Sequence, residues 1–181
     1  MNKRLEADGD NPDLYVMRAR LHQLFRNVSD RKLPDLLQQY MWLSLQTTLC
    51  YYDLKDALAL CDGHEQANKL MVELQSKADD FKQQSTNMSL TGRFRDAMQK
   101  ISIAIETNPS VAEYHNIRGA AHRKLGDFNA AIDDYLLALD KTDHNEEDPV
   151  YVDAQKQLLL TYNDFAVECF TKGYDLDLTV L

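Results

Sequence analysis

The fold of this chain is constrained most strongly by two amphipathic segments that lie between residues 112 and 145. Apolar or small residues recur at every third or fourth position, first from Tyr114 to Leu125 and then from Ala131 to Leu139, which is the period of an α-helix. Between the segments, Gly126 can take the left-handed backbone conformation that ends a helix, and Asp127 is placed to cap the next one. This stretch therefore predicts two helices joined by a tight turn.

The same pattern of large and small residues occurs 34 positions upstream. Each predicted helix is apolar on one side only, so it needs a repeated neighbour to cover that side. Six pairs of residues match in size at this offset: Gly92 with Gly126, Phe94 with Phe128, Ala97 with Ala131, Met98 with Ile132, Ala104 with Ala138, and Ile105 with Leu139.

The spacing and the small residues of this pattern resemble the tetratricopeptide repeat (TPR) family. The resemblance implies an all-α fold, a right-handed superhelical array of antiparallel helix pairs. It also implies that five residues are small because two helices cross there: Ala97, Ala104, Gly119, Ala131 and Ala138.

Weaker repeats flank the two good ones, so we interpret the chain as a fragment or short form of a longer TPR array. Residues 13–25 align with the start of the best repeat at an offset of 100, which places Arg18 with Arg118 and Ala19 with Gly119. Five segments are predicted: the end of a missing repeat (1–12), a divergent repeat with an inserted helix near 29–48 (13–62), a repeat with a lengthened first helix (65–111), the best-matching repeat (112–145) and a truncated last repeat (146–181).

The divergent repeat has about two dozen residues where the TPR pattern allows a short turn. Pro34 fits the first turn of the inserted helix. Trp42 is expected to pack against the array, and an exposed anchor for a partner is the alternative. The repeat's second helix is predicted to run to Leu60, with Ala57 in the place of Ala131.

The last predicted helix runs from Val150 to Lys172 and is followed by a turn at Gly173. The remaining residues end on apolar side chains that include Leu178 and Leu181. Exposed apolar residues of this size cost about 1.5–3 kcal/mol each relative to burial. We therefore expect the tail to fray or to dock on another chain.

Composition and charge limit the classes of partner. A net charge of −9 disfavours nucleic acid and anionic membrane surfaces. The three cysteines are odd in number and lack paired spacing, which is typical of a reducing compartment. Since neither a signal peptide nor a membrane-spanning segment is visible, we expect a cytoplasmic protein without membrane insertion, with the cilium as an alternative location.

No motif in the sequence predicts catalysis, a cofactor or a metal. His64 begins a run similar to the zinc-protease helix, but Asn68 stands where the second histidine is needed. Cys61 and His64 could supply only two of the four ligands that zinc requires. We expect instead a helix-packing cysteine, a surface histidine and no enzymatic activity.

The TPR resemblance implies a groove lined by the first helices of successive repeats. The positions that face this groove predict a partner-binding set of Lys82, Thr86, Glu113, Asn116, Arg123 and Lys124. For any one of them, an ordinary exposed side chain is the competing interpretation. Such a groove suits a peptide or a helical segment of another protein.

Some TPR chaperone co-factors grip a C-terminal carboxylate with a clamp of Lys, Asn and Arg. Lys82 fits the first place of that clamp, but Thr86 replaces an Asn, and Leu160 and Asp164 stand where Lys and Arg are expected. Asp164 would repel the carboxylate, so we predict that this chain is not a carboxylate-clamp co-factor.

The sequence therefore predicts a protein-interaction scaffold or adaptor. A structural component of a large assembly, such as ciliary or transport machinery, is the alternative. An adaptor should have an open, chemically distinctive groove, whereas an assembly component should also have apolar patches on the outer side of its helices.

Overall fold

The computed structural model describes residues 11–29 and 36–178, with side chains at 11–23 and 47–173. Within these ranges every regular element is an α-helix. The predicted fold class, an all-α fold of TPR-like helix pairs, is therefore confirmed. The helices are α1 (Pro12–Ser29), α2 (Leu36–Leu60), α3 (Glu65–Leu90), α4 (Phe94–Thr107), α5 (Ala112–Leu125), α6 (Phe128–Lys141) and α7 (Pro149–Leu178).

Two glycines form equivalent turns between paired helices. Gly92 and Gly126 have φ angles of 76° and 80°, in the left-handed region where a side chain would be strained. The N–H of Gly126 donates to the carbonyl of Arg123, and the Asp127 side chain accepts from the N–H of Ala130 at 3.4 Å. The predicted turn and its cap are confirmed.

Small residues lie where the paired helices cross. The alanines predicted at these crossings, Ala97, Ala104, Ala131 and Ala138, are all fully buried. Gly119 of α5 lies against the ring of Tyr135 on α6, and a Cβ atom built on Gly119 would stand 2.9 Å from Cε1 of that ring. This contact is tighter than normal packing permits, so the helix pair depends on glycine at this position.

The first connection differs from the prediction, because α2 is one continuous helix from Leu36 to Leu60. The sequence predicts an inserted helix and a separate second helix in this region. No Gly or Pro interrupts residues 36–60, so no local signal ends the helix between them. Residues 30–35 and the side chain of Trp42 lie outside the described residues, and the proposed repeat boundaries remain a prediction.

The predicted turn at Gly173 is absent, because α7 continues through it to Leu178. Gly173 does not have the positive φ seen at Gly92 and Gly126, so nothing there turns the chain. A Gly inside a helix costs about 1 kcal/mol relative to Ala, which weakens a helix without ending it. The predicted fate of the tail concerns residues outside the described side chains.

The chain forms two compact units. Of the described residues, the first unit comprises those up to Phe81 together with Ile103–Pro109, and the second comprises Lys82–Ser102 together with those from Ser110 onward. The core of the first unit joins α1, α2 and the first half of α3 through Val16, Ala19, Cys50, Tyr51, Leu54, Ala57, Ala67 and Leu74.

In the second unit, α6 packs between its two neighbours in the chain, α5 and α7. Ala138 and Leu139 of α6 share a buried cluster with Tyr151 and Ala154 of α7. Asp148 caps α7 by accepting a hydrogen bond from the N–H of Val150 at 2.7 Å. α5 and α7 both contact α6 and also contact each other.

The close crossing at Gly119 can be tested by adding a side chain. We expect Gly119→Val to destabilise the protein by about 1–3 kcal/mol, because the added methyl groups must displace the Tyr135 ring or the α6 backbone. The control is Ala120→Val, at the neighbouring exposed position of the same helix. Urea denaturation measures both changes, and equal losses for the two variants would contradict the tight crossing.

Candidate functional site

The six residues of the predicted groove lie on α3 and α5, all within the second unit. Lys82 Nζ and Glu113 Oε2 form an ion pair of 2.6 Å between these two helices. The Thr86 hydroxyl donates to the carbonyl of Lys82 at 3.0 Å, one turn earlier on the same helix. These three side chains are therefore close to one another but engaged in contacts within the unit.

Asn116 and Arg123 tie α5 to α7. The Asn116 side-chain amide donates to the carbonyl of Val150 at 3.0 Å, and the residue is buried. Arg123 Nε lies 2.7 Å from Asp164 Oδ2, and its Nη1 donates to Gln157 Oε1 at 3.0 Å. Substitution of either residue would therefore disturb the packing of α5 against α7.

Two exposed residues are adjacent in the helices to the Arg123–Asp164 contact. Lys124 follows Arg123 on α5 and is exposed, and Leu160, 44% exposed, lies one turn before Asp164 on α7. In the sequence, Leu160 stands out only as a departure from the carboxylate clamp. One side of α7 carries Gln157, Leu160 and Asp164, which are three and four residues apart. This spacing is the sequence signal that could have placed Leu160 beside the residues that contact α5.

We define the α5–α7 surface as Arg123, Lys124, Gln157, Leu160 and Asp164. On this surface the charges of Arg123 and Asp164 compensate each other. The charges of Lys82 on α3 and Glu113 on α5 do the same. Of the described side chains on this surface, those that are exposed and not engaged in an ion pair or hydrogen bond are Lys124 and Leu160. None of these five side chains is arranged as an activated nucleophile.

A buried carboxylate, which no sequence motif indicates, joins α5 to α6. Asp134 of α6 has a side chain that is 4% exposed, and both its oxygens accept hydrogen bonds from the Arg118 guanidinium, at 2.6–3.1 Å. His115 Nδ1 and His122 Nε2 lie 3.4 and 3.9 Å from the same carboxylate. The carboxylate thus gathers three basic side chains of α5.

The ionisation of this cluster follows from its contacts. Burial alone would raise the pKa of Asp134, but hydrogen bonds from His115 and Arg118 outweigh it and hold the pKa below its usual value. Burial raises the pKa of the adjacent Tyr135 to about 12, so its hydroxyl stays neutral. The cluster is therefore an ion pair between Arg118 and Asp134, next in sequence to the neutral Tyr135; we call it the buried tie.

The first unit contains the same tie. Arg18 of α1 pairs with Asp53 of α2, and His22 Nε2 lies 3.6 Å from that carboxylate. The hydrogen bond to Asp53 raises the pKa of Arg18 above its usual value. The alignment of Arg18 with Arg118 at an offset of 100 is therefore matched by equivalent contacts.

This equivalence corrects the predicted position of Ala57. Because Asp53 stands in the place of Asp134, Ala57 corresponds to Ala138 and not to Ala131. The paired residues are 35 positions apart in the first unit and 16 in the second, so the first connection is 19 residues longer. Cys50, which is buried, takes the place of Ala131.

The other residues singled out in the sequence have local roles. His64 Nδ1 accepts from the N–H of Ala67 at 3.3 Å and Nε2 lies 2.9 Å from Asp13, while Cys61 is exposed. Cys61, expected to pack between helices, is exposed, and His64, expected at the surface, has a side chain that is only 11% exposed, so both predictions were wrong. His64 is covered because it caps the start of α3, a role that hydrophobic periodicity does not reveal.

Within residues 11–23 and 47–173, no three His, Cys, Asp or Glu side chains are grouped as a metal would require. Over the same described part of the chain, no helix combines the length and apolarity that a bilayer crossing needs.

Three curated proteins, all called tetratricopeptide repeat protein 16, are similar to this chain. The proteins from Macaca fascicularis and Homo sapiens are each 35% identical over 173 residues, 96% of this chain. The protein from Mus musculus is 34% identical over 161 residues, 89% of this chain. The chain spans 18% of the length of each relative. No family model matches the chain.

The buried tie in the second unit predicts a large effect of a neutral substitution. We expect Asp134→Asn to destabilise the protein by about 2–3 kcal/mol, because Arg118 loses a charged acceptor in a buried position. The control is Asp133→Asn, since Asp133 is the exposed neighbour on the same helix. Thermal or urea denaturation at pH 7 measures both, and a similar small loss for the two variants would contradict the tie.

The same tie predicts how stability depends on pH. The folded-state pKa of Asp134 lies below its usual value of 3.8, so its contribution is complete above that value and is lost as pH falls through the folded-state pKa. We expect the stability advantage of the unmodified protein over Asp134→Asn to shrink below about pH 4. Denaturation series across acidic pH measure the difference, and an advantage that grew on acidification would have the wrong sign.

Proposed function

Because the chain belongs to the tetratricopeptide repeat family, we propose that it is an interaction scaffold that holds a peptide or helical segment of another protein on its α5–α7 surface. The observation that carries this proposal is the side-by-side tie of α5 and α7 by Arg123 and Asp164, which leaves Lys124 and Leu160 exposed beside it. The proposed site is thus built from the first helix of one repeat and the helix that opens the next.

The pairing of charges on this surface favours a partner of mixed character. A strongly charged tail would gain little, because Arg123 already faces Asp164 and Lys82 already faces Glu113. An amphipathic segment could place an apolar side chain on Leu160 and a carboxylate or carbonyl on Lys124. A carboxylate clamp is not proposed, because the Arg123 guanidinium already donates a hydrogen bond to Asp164 and is not available to a partner's carboxylate.

The proposed role is non-catalytic. The clustered titratable groups of the second unit, Arg118, His115, His122 and Asp134, hold one another between α5 and α6. These contacts stabilise the packing of α5 against α6. The activity that we propose is therefore binding. We propose the cytoplasm, with the cilium as the alternative, as the place where it acts.

A structural role in a larger assembly is the second candidate, and one observation favours it. Leu136 and Leu137 on α6 are 47% and 44% exposed, between the exposed acidic residues Asp133 and Asp140. These two adjacent leucines form an exposed apolar patch on α6, which is what we expect of an assembly component. The two candidates therefore use different helices.

Two matched double variants separate these functions. Lys124→Glu with Leu160→Asp changes the α5–α7 surface. Lys141→Glu with Leu136→Asp makes the same chemical changes on α6, where Leu136 is slightly more exposed than Leu160. We expect the first variant to lose bound proteins and the second to keep them. The readout is affinity capture from cells, with the captured proteins quantified by mass spectrometry for each variant against the unmodified chain.

The outcomes assign the function. Selective loss with the α5–α7 variant supports the adaptor. Selective loss with the α6 variant overturns it in favour of the assembly component. Retention of every partner by both variants contradicts both candidates, provided that circular dichroism shows each variant to be folded.

A further inference from the structure

An Asp-Gly pair occupies the exposed turn between α2 and α3. The N–H of His64 donates to the carbonyl of Cys61 at 3.1 Å, so Asp62 and Gly63 are the two central residues of a four-residue turn. Both central residues are exposed. The turn belongs to the first unit and the α5–α7 surface to the second, so the chemistry of the turn is separate from the proposed function.

The backbone nitrogen of Gly63 is accessible to the side chain that precedes it. Among the described residues, none accepts a hydrogen bond from the Gly63 N–H. A Cβ atom built on Gly63 would have no atom within 4 Å, so open space adjoins this residue. A bond between Cγ of Asp62 and the Gly63 nitrogen would close a five-membered ring, which such rings accommodate with little strain.

We propose that Asp62 is a site of spontaneous modification, at which the aspartate isomerises to isoaspartate through a cyclic imide. The Gly63 nitrogen attacks Cγ of Asp62, the N–Cγ bond forms, and the carboxyl hydroxyl leaves with the amide proton as water. Water then adds to the former peptide carbonyl of Asp62 and breaks its bond to the nitrogen, which regains a proton. Water is released once and consumed once, so the net reaction is an isomerisation.

Two features of this turn favour the first step. Glycine has no Cβ, so no side chain blocks the approach of Cγ to the nitrogen. Asn68 Nδ2 donates to the Asp62 carbonyl at 2.9 Å, and that oxygen shares the negative charge that the Gly63 nitrogen gains when it loses its proton. The exposed turn residue Asp143 is instead followed by His144, whose side chain hinders the same approach.

Isomerisation would lengthen the main chain by one carbon just before α3. The turn closed by Cys61 and His64 would have to adjust, and Asn68 would meet a free carboxylate in place of a peptide carbonyl. His64 also caps α3 at Ala67 and lies 2.9 Å from Asp13 of α1. We therefore expect the start of α3 and its contact with α1 to loosen as isoaspartate accumulates.

Incubation of the folded chain at physiological temperature and pH, followed by peptide mapping, measures the reaction. The cyclic imide is one water lighter than the parent peptide, and electron-transfer fragmentation distinguishes isoaspartate from aspartate at residue 62. Mapping also separates this site from the second Asp-Gly pair of the sequence, Asp8–Gly9.

The matched variant is Gly63→Ala. It is compatible with the turn, since Gly63 has no positive φ and its added Cβ would meet open space. We expect this variant to isomerise at least about tenfold more slowly, because the Cβ hinders the attack. Urea denaturation before and after incubation is expected to show a loss of stability for the unmodified chain and none for Gly63→Ala.

Two controls accompany the variant. Asp143 is the control within the chain, because it is an exposed turn residue that no glycine follows. Asp62→Glu is the chemical control, since its carboxyl carbon would have to close a six-membered ring, and we expect no isomerised product from it. Circular dichroism shows that each variant is folded before incubation.

Three results would overturn the proposal. The first is isoaspartate that is no more abundant at Asp62 than at Asp143. The second is an equal rate for the unmodified chain and Gly63→Ala. The third is isomerisation of the urea-unfolded chain alone, because the folded turn would then protect Asp62.

Discussion

The second unit depends on how closely α5 and α6 approach each other. Gly119 has no side chain, which allows the ring of Tyr135 to lie directly against the α5 backbone. The alanines at 131 and 138 are fully buried on the same helix. This approach brings Asp134, the residue next to Tyr135, within reach of Arg118, the residue next to Gly119. Close packing and the charged tie are thus two consequences of one crossing.

The charged tie adds specificity to a contact that apolar packing alone would leave less defined. A guanidinium that meets a carboxylate through two parallel hydrogen bonds accepts only a narrow range of positions. The chain uses this geometry twice, in Arg118–Asp134 and in Arg18–Asp53, although the intervening connection differs by 19 residues. The contact recurs despite the longer connection, which indicates that the helix pair, and not the loop between its helices, is the repeated physical unit of this chain.

Some residues predicted to line the groove contact a neighbouring helix in the structure, whereas others are exposed. Asn116 and Arg123 were expected in a groove, yet both hold α7 in place. Their neighbours Lys124 and Leu160 remain exposed. A position in a repeat predicts which side of a helix a residue occupies. It does not predict whether the next helix brings a partner for it, since that depends on side chains many residues away.

Several features were determined by the sequence alone, because they depend on local chemistry. The left-handed turns at Gly92 and Gly126 and the burial of Ala97 and Ala131 follow from residue size and spacing within one repeat. The continuous α2, the helical path through Gly173 and the place of Ala57 were decided by the tertiary structure. The reason is physical: a glycine turns the chain only where its backbone becomes left-handed, and the register of two distant helices is set by the ion pair that joins them.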